Sequence, residues 1–129
     1  MCDERRVPVV DDTDHIRDLL HDGLTFNGYL VTLAHHGAHG LQLIGTARPC
    51  VMLLDLDMPM MNGREFVHAY RQTPRPHACI IVMTAMLDGA CHAAALQVAG
   101  HLRKPFELDH LLAMMDHHVR AHPAPAPSG

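Results

Sequence analysis

Val51-Met52-Leu53-Leu54-Asp55-Leu56-Asp57-Met58-Pro59-Met60-Met61-Asn62-Gly63 is the stretch on which the fold turns. Its first four residues form an unbroken apolar run that stops at a carboxylate. A strand with one solvated face alternates between apolar and polar residues, whereas a strand covered on both faces does not. The run therefore reads as an interior strand of a sheet, with Asp55 at its carboxyl end. Proline, asparagine and glycine then mark residues 58–63 as a loop. A helix is predicted over 64–71.

Working outward, the same alternation of short apolar runs and helical spacing recurs. Val7-Pro8-Val9-Val10 reads as a buried strand ending at Asp11-Asp12. Ile16, Leu19, Leu20 and Leu24 then repeat at helical spacing, and Asn27-Gly28 closes that helix. A second strand is predicted over 29–34 and a second helix over 38–47, with Leu41 and Ile44 facing inward. Cys79-Ile80-Ile81-Val82-Met83 is another fully buried strand, ending at Thr84. Asp88 is placed to cap a helix running to about Val98. His101-Leu102-Arg103 is a short strand leading to Lys104-Pro105, and a last helix covers 108–119. Five strands alternating with five helices imply an α/β fold, a parallel sheet with helices on both faces. No internal repeat is present. The domain is expected over 1–120. The Pro/Ala-rich residues 121–129 are expected to be a disordered tail or the start of a linker.

Composition removes several function classes. The 129 residues suit one domain, and 48% are hydrophobic, which argues against global disorder. No apolar run approaches the roughly 18 residues of a membrane span. The first residues carry neither the basic region nor the apolar stretch of a signal peptide. The expectation is a soluble cytoplasmic domain. The formal net charge is −4, and no basic stripe suits direct nucleic-acid binding. The four cysteines show no C-x-x-C spacing, and Cys50 and Cys79 lie against or within apolar runs. They are expected to be reduced core residues rather than a disulfide framework. Thirteen histidines are an unusual number, and Lys104 is the sole lysine.

The polar residues gather where the strands end. Asp11 and Asp12 follow the first strand, Asp55 the third, Thr84 the fourth and Lys104 the fifth. In an open parallel sheet those carboxyl ends face one crevice, where ligands bind. Three converging carboxylates repel unless a cation is present, and Mg²⁺ suits hard oxygen ligands while keeping some water. Asp55 can then act as a nucleophile towards phosphorus. Lys104 would pair with one phosphoryl oxygen and Thr84 would hydrogen-bond another. Taken singly, the acidic pair reads as a helix cap, Thr84 as a strand-end residue and Lys104 as a solvated charge. Their joint placement favours the site.

These residues resemble a response-regulator receiver domain over roughly 6–119. The resemblance rests on Asp11-Asp12, the Asp55-x₃-Pro59-x₃-Gly63 block after an apolar strand, Thr84-Ala85 and Lys104-Pro105-Phe106. It implies a flavodoxin-like (βα)5 three-layer sandwich with parallel sheet order 2-1-3-4-5. It also implies a two-component switch that accepts a phosphoryl group on Asp55. The implied donor is a sensor histidine kinase or a histidine phosphotransfer protein, and Mg²⁺ is the cofactor. The implied metal ligands are Asp12, Asp55, the backbone carbonyl of Asp57, and Asp11 through water. Thr84 and the position of His101 would form the switch, read by a downstream protein or output domain. The chain would catalyse only its own phosphorylation and dephosphorylation.

Several positions depart from that family. Pro8 lies in a strand that should be internal and cannot spare an N–H, so a bulge or an early strand end is expected. His101 stands where the family usually has an aromatic residue, and its charge can change near neutral pH. The segment from Thr84 to Lys104 is about two residues short near Ala99-Gly100. Asp57 and Met86 occupy positions that tune dephosphorylation in the family. Pro8 and His101 keep open a receiver-like interaction module that is not phosphorylated. A dehalogenase-like phosphatase also uses an Asp-x-Asp block, but places it near the N-terminus with the acidic pair late. His35, His36 and His39 read as solvated surface rather than a metal cluster, because no carboxylate or cysteine completes a set. His117, His118 and His122 could hold metal adventitiously, and Met58, Met60 and Met61 read as loop packing.

Overall fold

In the computed structural model, residues 5–47, 49–58, 63–73 and 77–121 are described. Five strands alternate with five helices: β1 (Arg6–Val10), α1 (Asp14–Phe26), β2 (Leu30–Ala34), α2 (Gly37–Ala47), β3 (Val51–Asp55), α3 (Gly63–Arg71), β4 (Cys79–Thr84), α4 (Gly89–Leu96), β5 (Gly100–Arg103) and α5 (Leu108–Ala121). The strands form one sheet in the order β2-β1-β3-β4-β5, and every pairing is parallel.

The apolar runs explain the layering. Side chains alternate across a strand, so an unbroken run must feed two cores. Val51 and Leu53 of β3 and Ile81 and Met83 of β4 pack with Leu20 and Leu24 of α1 and Leu111 and Met115 of α5. Their neighbours Met52, Leu54, Ile80 and Val82 pack on the other face with Ile44 of α2, Phe66, Val67 and Tyr70 of α3, and Ala93 of α4. The result is a three-layer sandwich. All five residues of β3 are buried, and each fully buried leucine contributes about 2–3 kcal/mol.

Pro8 neither bulges the strand nor ends it, contrary to expectation. β1 is continuous, with Pro8 in register opposite Thr32 of β2. Leu30 N donates to Arg5 O and Asp11 N donates to Ala34 O. Odd-numbered residues of β1 therefore bond to β2, and alternation turns Pro8 towards β3. The register with β3 starts only at Val9, opposite Leu53. The missing donor leaves the β1–β2 ladder intact, and the β1–β3 ladder begins after Pro8.

Several other boundaries moved. Asp88 sits at the α4 N-cap without a capping hydrogen bond; its Oδ2 instead lies 3.2 Å from His92 Nε2. α4 ends at Leu96, because Gln97 turns left-handed with φ 56°. Asn27 and Gly28 close α1 as expected. Gly28 has φ +92°, a conformation that suits glycine, and Tyr29 N donates back to Leu24 O at 3.0 Å. Cys50 departs from its expected reduced state. It is disulfide-bonded, whereas Cys79 and Cys91 are free. Spacing alone carries no record of that proximity. Residues 122–129, with His122 and the expected tail, lie outside the described residues.

Candidate functional site

β1, β3 and β5 deliver their last residues to one end of the sheet. Asp11 and Asp55 are 0% and 1% exposed, whereas Asp12 opens to solvent. One carboxylate oxygen from each of Asp11, Asp12 and Asp55 lies within 4.8 Å of the others. Lys104 Nζ reaches into this group, 3.0 Å from Asp11 Oδ2 and 3.2 Å from Asp55 Oδ1. The sole lysine is thus spent on two buried carboxylates. Its backbone is held by Lys104 N donating to Thr84 O at 2.8 Å, and the following Lys104–Pro105 bond is cis.

Each acid is also fixed locally. Asp11 Oδ1 accepts the Thr13 N–H at 2.8 Å, and Arg17 Nη1 donates to Asp11 O at 2.6 Å. Asp11 therefore shapes the entry to α1 with one oxygen and lines the pocket with the other. Arg17, which also pairs with Asp14, had no signature in the sequence. Asp55 Oδ1 accepts the Asp57 N–H at 2.9 Å. Gly63 closes the loop beneath: a Cβ there would collide with the Leu56 side chain and stand 3.0 Å from Leu56 Cα. Met58 is buried in the core, as loop packing required. Pro59, Met60 and Met61 lie outside the described residues.

The electrostatics follow from this crowding. Burial pushes the Asp55 carboxyl up from 3.8 to about 6. The Asp11 charge and a hydrogen bond with Asp12 push the same way, against the Asp57 N–H and Lys104. Burial alone would lower the Lys104 pKa, but its contacts with Asp11 and Asp55 outweigh that and raise it. Lys104 stays charged, and the pocket still holds more carboxylates than cations. Asp11 Oδ2 is buried with the Lys104 ammonium 3.0 Å away as its counter-charge. Three converging carboxylates with one ammonium among them form a hard-oxygen donor set that fits a divalent cation of the Mg²⁺ type.

Thr84 is fully buried at the end of β4. Its hydroxyl donates to the Asp57 carboxylate, 3.1 Å from Oδ1 and 3.3 Å from Oδ2. Ala85 N donates to Asp57 Oδ2 at 3.0 Å, and Met86 N donates to Thr84 Oγ1 at 3.1 Å. The sequence marks Asp57 as a backbone metal ligand and as a position that tunes dephosphorylation; the contact of its side chain with Thr84 and Ala85 has no sequence signature. The half-buried His101 stands near the start of α4, where a Cβ on Gly89 would lie 2.8 Å from Thr84 Cγ2 and 3.4 Å from His101 Cδ2.

The histidine groups resolve differently. The rings of His35, His36 and His39 have centroids 5.0, 5.1 and 5.7 Å apart, and His36 Nδ1 accepts the His39 N–H at 3.0 Å. Among the described residues, however, the aspartate trio is the one group of three or more whose ligand atoms converge as a metal requires. No helix among the described residues is long and apolar enough to cross a membrane.

Known proteins match this arrangement. The family model for the response regulator receiver domain matches residues 7–116. Response regulator MprA of Mycobacterium ulcerans is 39% identical over 112 residues, covering 85% of this chain and 48% of its own length. MprA of Mycobacterium tuberculosis has the same identity and coverage. The chain thus spans about half the length of these relatives. Among solved structures, the chemotaxis response regulator CheY4 of Vibrio cholerae superposes with a TM-score of 0.79 and 32% identity, over 88% of this chain and 97% of that one. A response-regulator signal receiver domain from Bermanella marisrubri gives 0.80 and 30%, over 89% and 98%. Sheet order, acidic pocket and family match agree, and the chain belongs to the response regulator receiver domain family.

Proposed function

We propose that this receiver is a cytoplasmic two-component switch that takes a phosphoryl group on Asp55 in a Mg²⁺-dependent reaction. The observation that carries the reading is the setting of Asp55. It is buried at the end of β3, within ligand distance of Asp11 and Asp12, with Lys104 Nζ 3.2 Å away. An Asp55 carboxylate oxygen forms the bond to phosphorus as the phosphorus–nitrogen bond of a donor phosphohistidine breaks, and the imidazole leaves. The donor is a sensor histidine kinase or a histidine phosphotransfer protein. Asp12, Asp55 and the Asp57 carbonyl would hold Mg²⁺, with Asp11 acting through water. Mg²⁺ held by these residues would supply positive charge to the transferring group.

The chain's own residues do the rest. Lys104, held by Asp11 and Asp55, presents its ammonium to a phosphoryl oxygen. The Thr84 hydroxyl and Ala85 N–H, at the end of β4, turn towards the other oxygens. His101 follows the position Thr84 vacates, and the surface of α4 and β5 changes for a downstream protein or output domain. Hydrolysis by water returns the carboxylate, so the only reactions catalysed are the chain's own phosphorylation and dephosphorylation.

Beryllofluoride, a phosphoryl mimic, tests the reading. The wild type is expected to bind it in Mg²⁺, not in chelator, and Asp55→Asn not at all. Absence of binding by the folded wild type in Mg²⁺ would instead favour an interaction module that is never phosphorylated.

A further inference from the structure

The Asp57 carboxylate holds both donors that the proposed phosphoryl group needs. Thr84 Oγ1 has a single proton, and it points at Asp57, 3.1 Å from Oδ1 and 3.3 Å from Oδ2. The Ala85 N–H is donated to Asp57 Oδ2 at 3.0 Å. Met86 N donates to the Thr84 hydroxyl, so the start of the β4–α4 turn is built around this one carboxylate. Its backbone anchor is Asp55 itself, because Asp57 N donates to Asp55 Oδ1 at 2.9 Å. Asp57 therefore bridges the acceptor and the switch residue in the unphosphorylated protein.

We propose that the Asp57 side chain is a positioning residue, an internal carboxylate that occupies the Thr84 hydroxyl and Ala85 amide until a phosphoryl group on Asp55 displaces it. The inference rests on the proposed acceptor role of Asp55. Two features make the exchange exclusive. One hydroxyl proton cannot serve Asp57 and a phosphoryl oxygen at once. A phosphoryl group two residues away also adds negative charge beside a carboxylate, which favours the carboxylate's release. Asp57 is exposed while Thr84 is buried, so the released carboxylate has water to enter and the hydroxyl does not. The clamp thereby sets a threshold: the donors cost more to recruit than in a site where they are free.

The test compares wild type, Asp57→Ala and Asp57→Asn as full chains in saturating Mg²⁺, since both substitutions keep the Asp57 backbone carbonyl. The first readout is hydrogen exchange of the Ala85 amide without beryllofluoride. Wild type is expected to be protected, and Asp57→Ala to exchange about tenfold faster. The second is beryllofluoride affinity, expected to tighten about three- to tenfold in Asp57→Ala. Asp57→Asn keeps an acceptor oxygen without the charge and should fall between the two in both readouts. If charge repulsion alone mattered, Asp57→Asn would match Asp57→Ala in affinity and Ala85 exchange would not change; that result overturns the clamp. So does a wild type that binds beryllofluoride while Asp57→Ala binds it no more tightly. A wild type that does not bind at all overturns the acceptor reading itself, and the clamp's displacement with it.

Discussion

Replacing Asp55 by Asn should make the metal-free protein more stable at neutral pH, although it removes the proposed acceptor. The folded-state pKa of Asp55, about 6, stands above the ordinary 3.8, with burial as the first cause. The native state therefore holds this proton more tightly than the unfolded chain. The resulting stability is fully present below pH 3.8 and is lost as pH rises through about 6. From pH 7 upward the ionised carboxylate costs about 3 kcal/mol relative to its neutral form. Asparagine is nearly isosteric with that neutral form. The value of about 6 already includes the attraction of Lys104; the amide does not reproduce the hydrogen bonds of the neutral acid in full, so the net expectation is about 1–3 kcal/mol. For a domain of this size that corresponds to a Tm rise of about 4 °C per kcal/mol. The assay is thermal and urea unfolding of both proteins in chelator at pH 8, 6 and 4. The advantage of Asn should be largest at pH 8 and shrink below about 1 kcal/mol by pH 4. Adding Mg²⁺ should narrow or reverse it, because only the wild type offers the full ligand set. A variant no more stable than wild type at pH 8 in chelator, or an advantage independent of pH, would refute the electrostatic account of the pocket.

Lys104→Met removes the cation 3.0 Å from Asp11 and 3.2 Å from Asp55. Metal-free stability at pH 7 should fall by about 2–4 kcal/mol, with most of the loss recovered at pH 4, as unfolding curves would show. Gly63→Ala forces a methyl group into Leu56, including its Cα, next in chain to Asp55. It should cost about 1–3 kcal/mol and weaken beryllofluoride binding; a variant unaffected in both would mean the loop has room. Reduction of the Cys50 disulfide should leave beryllofluoride binding unchanged, because Cys50 precedes β3 and Asp55 ends it. Loss of binding on treatment with a thiol reductant would count against a cytoplasmic role, where thiols are kept reduced.

Much of the fold was legible because β3 and β4 are buried on both faces, and only a parallel sheet with helices on each side accounts for such runs. The acidic pair, Asp55, Thr84 and Lys104 were legible for a related reason: each directly follows an apolar run, and strand ends share one crevice. What escaped depends on directions in space. Whether Pro8 breaks its strand depends on which neighbour its nitrogen faces, a parity set by the register with β2 and β3. The end of α4 is decided by a left-handed glutamine, a residue type that carries no stop signal. The Asp57 carboxylate reaches Thr84, 27 residues away in sequence, and a lone acid in a loop gives no hint of such a partner. The Cys50 disulfide was hidden likewise, since spacing does not say which thiols meet.

The central claim is phosphoryl transfer to Asp55, and its most direct measurement is intact-mass and peptide analysis after incubation with acetyl phosphate. The account predicts a gain of one phosphoryl group in Mg²⁺, mapped to the peptide containing Asp55 and labile as an acyl phosphate. Neither chelator-treated wild type nor Asp55→Asn should gain it. A folded wild type that stays unlabelled in Mg²⁺, or a label that persists in Asp55→Asn, would contradict the claim.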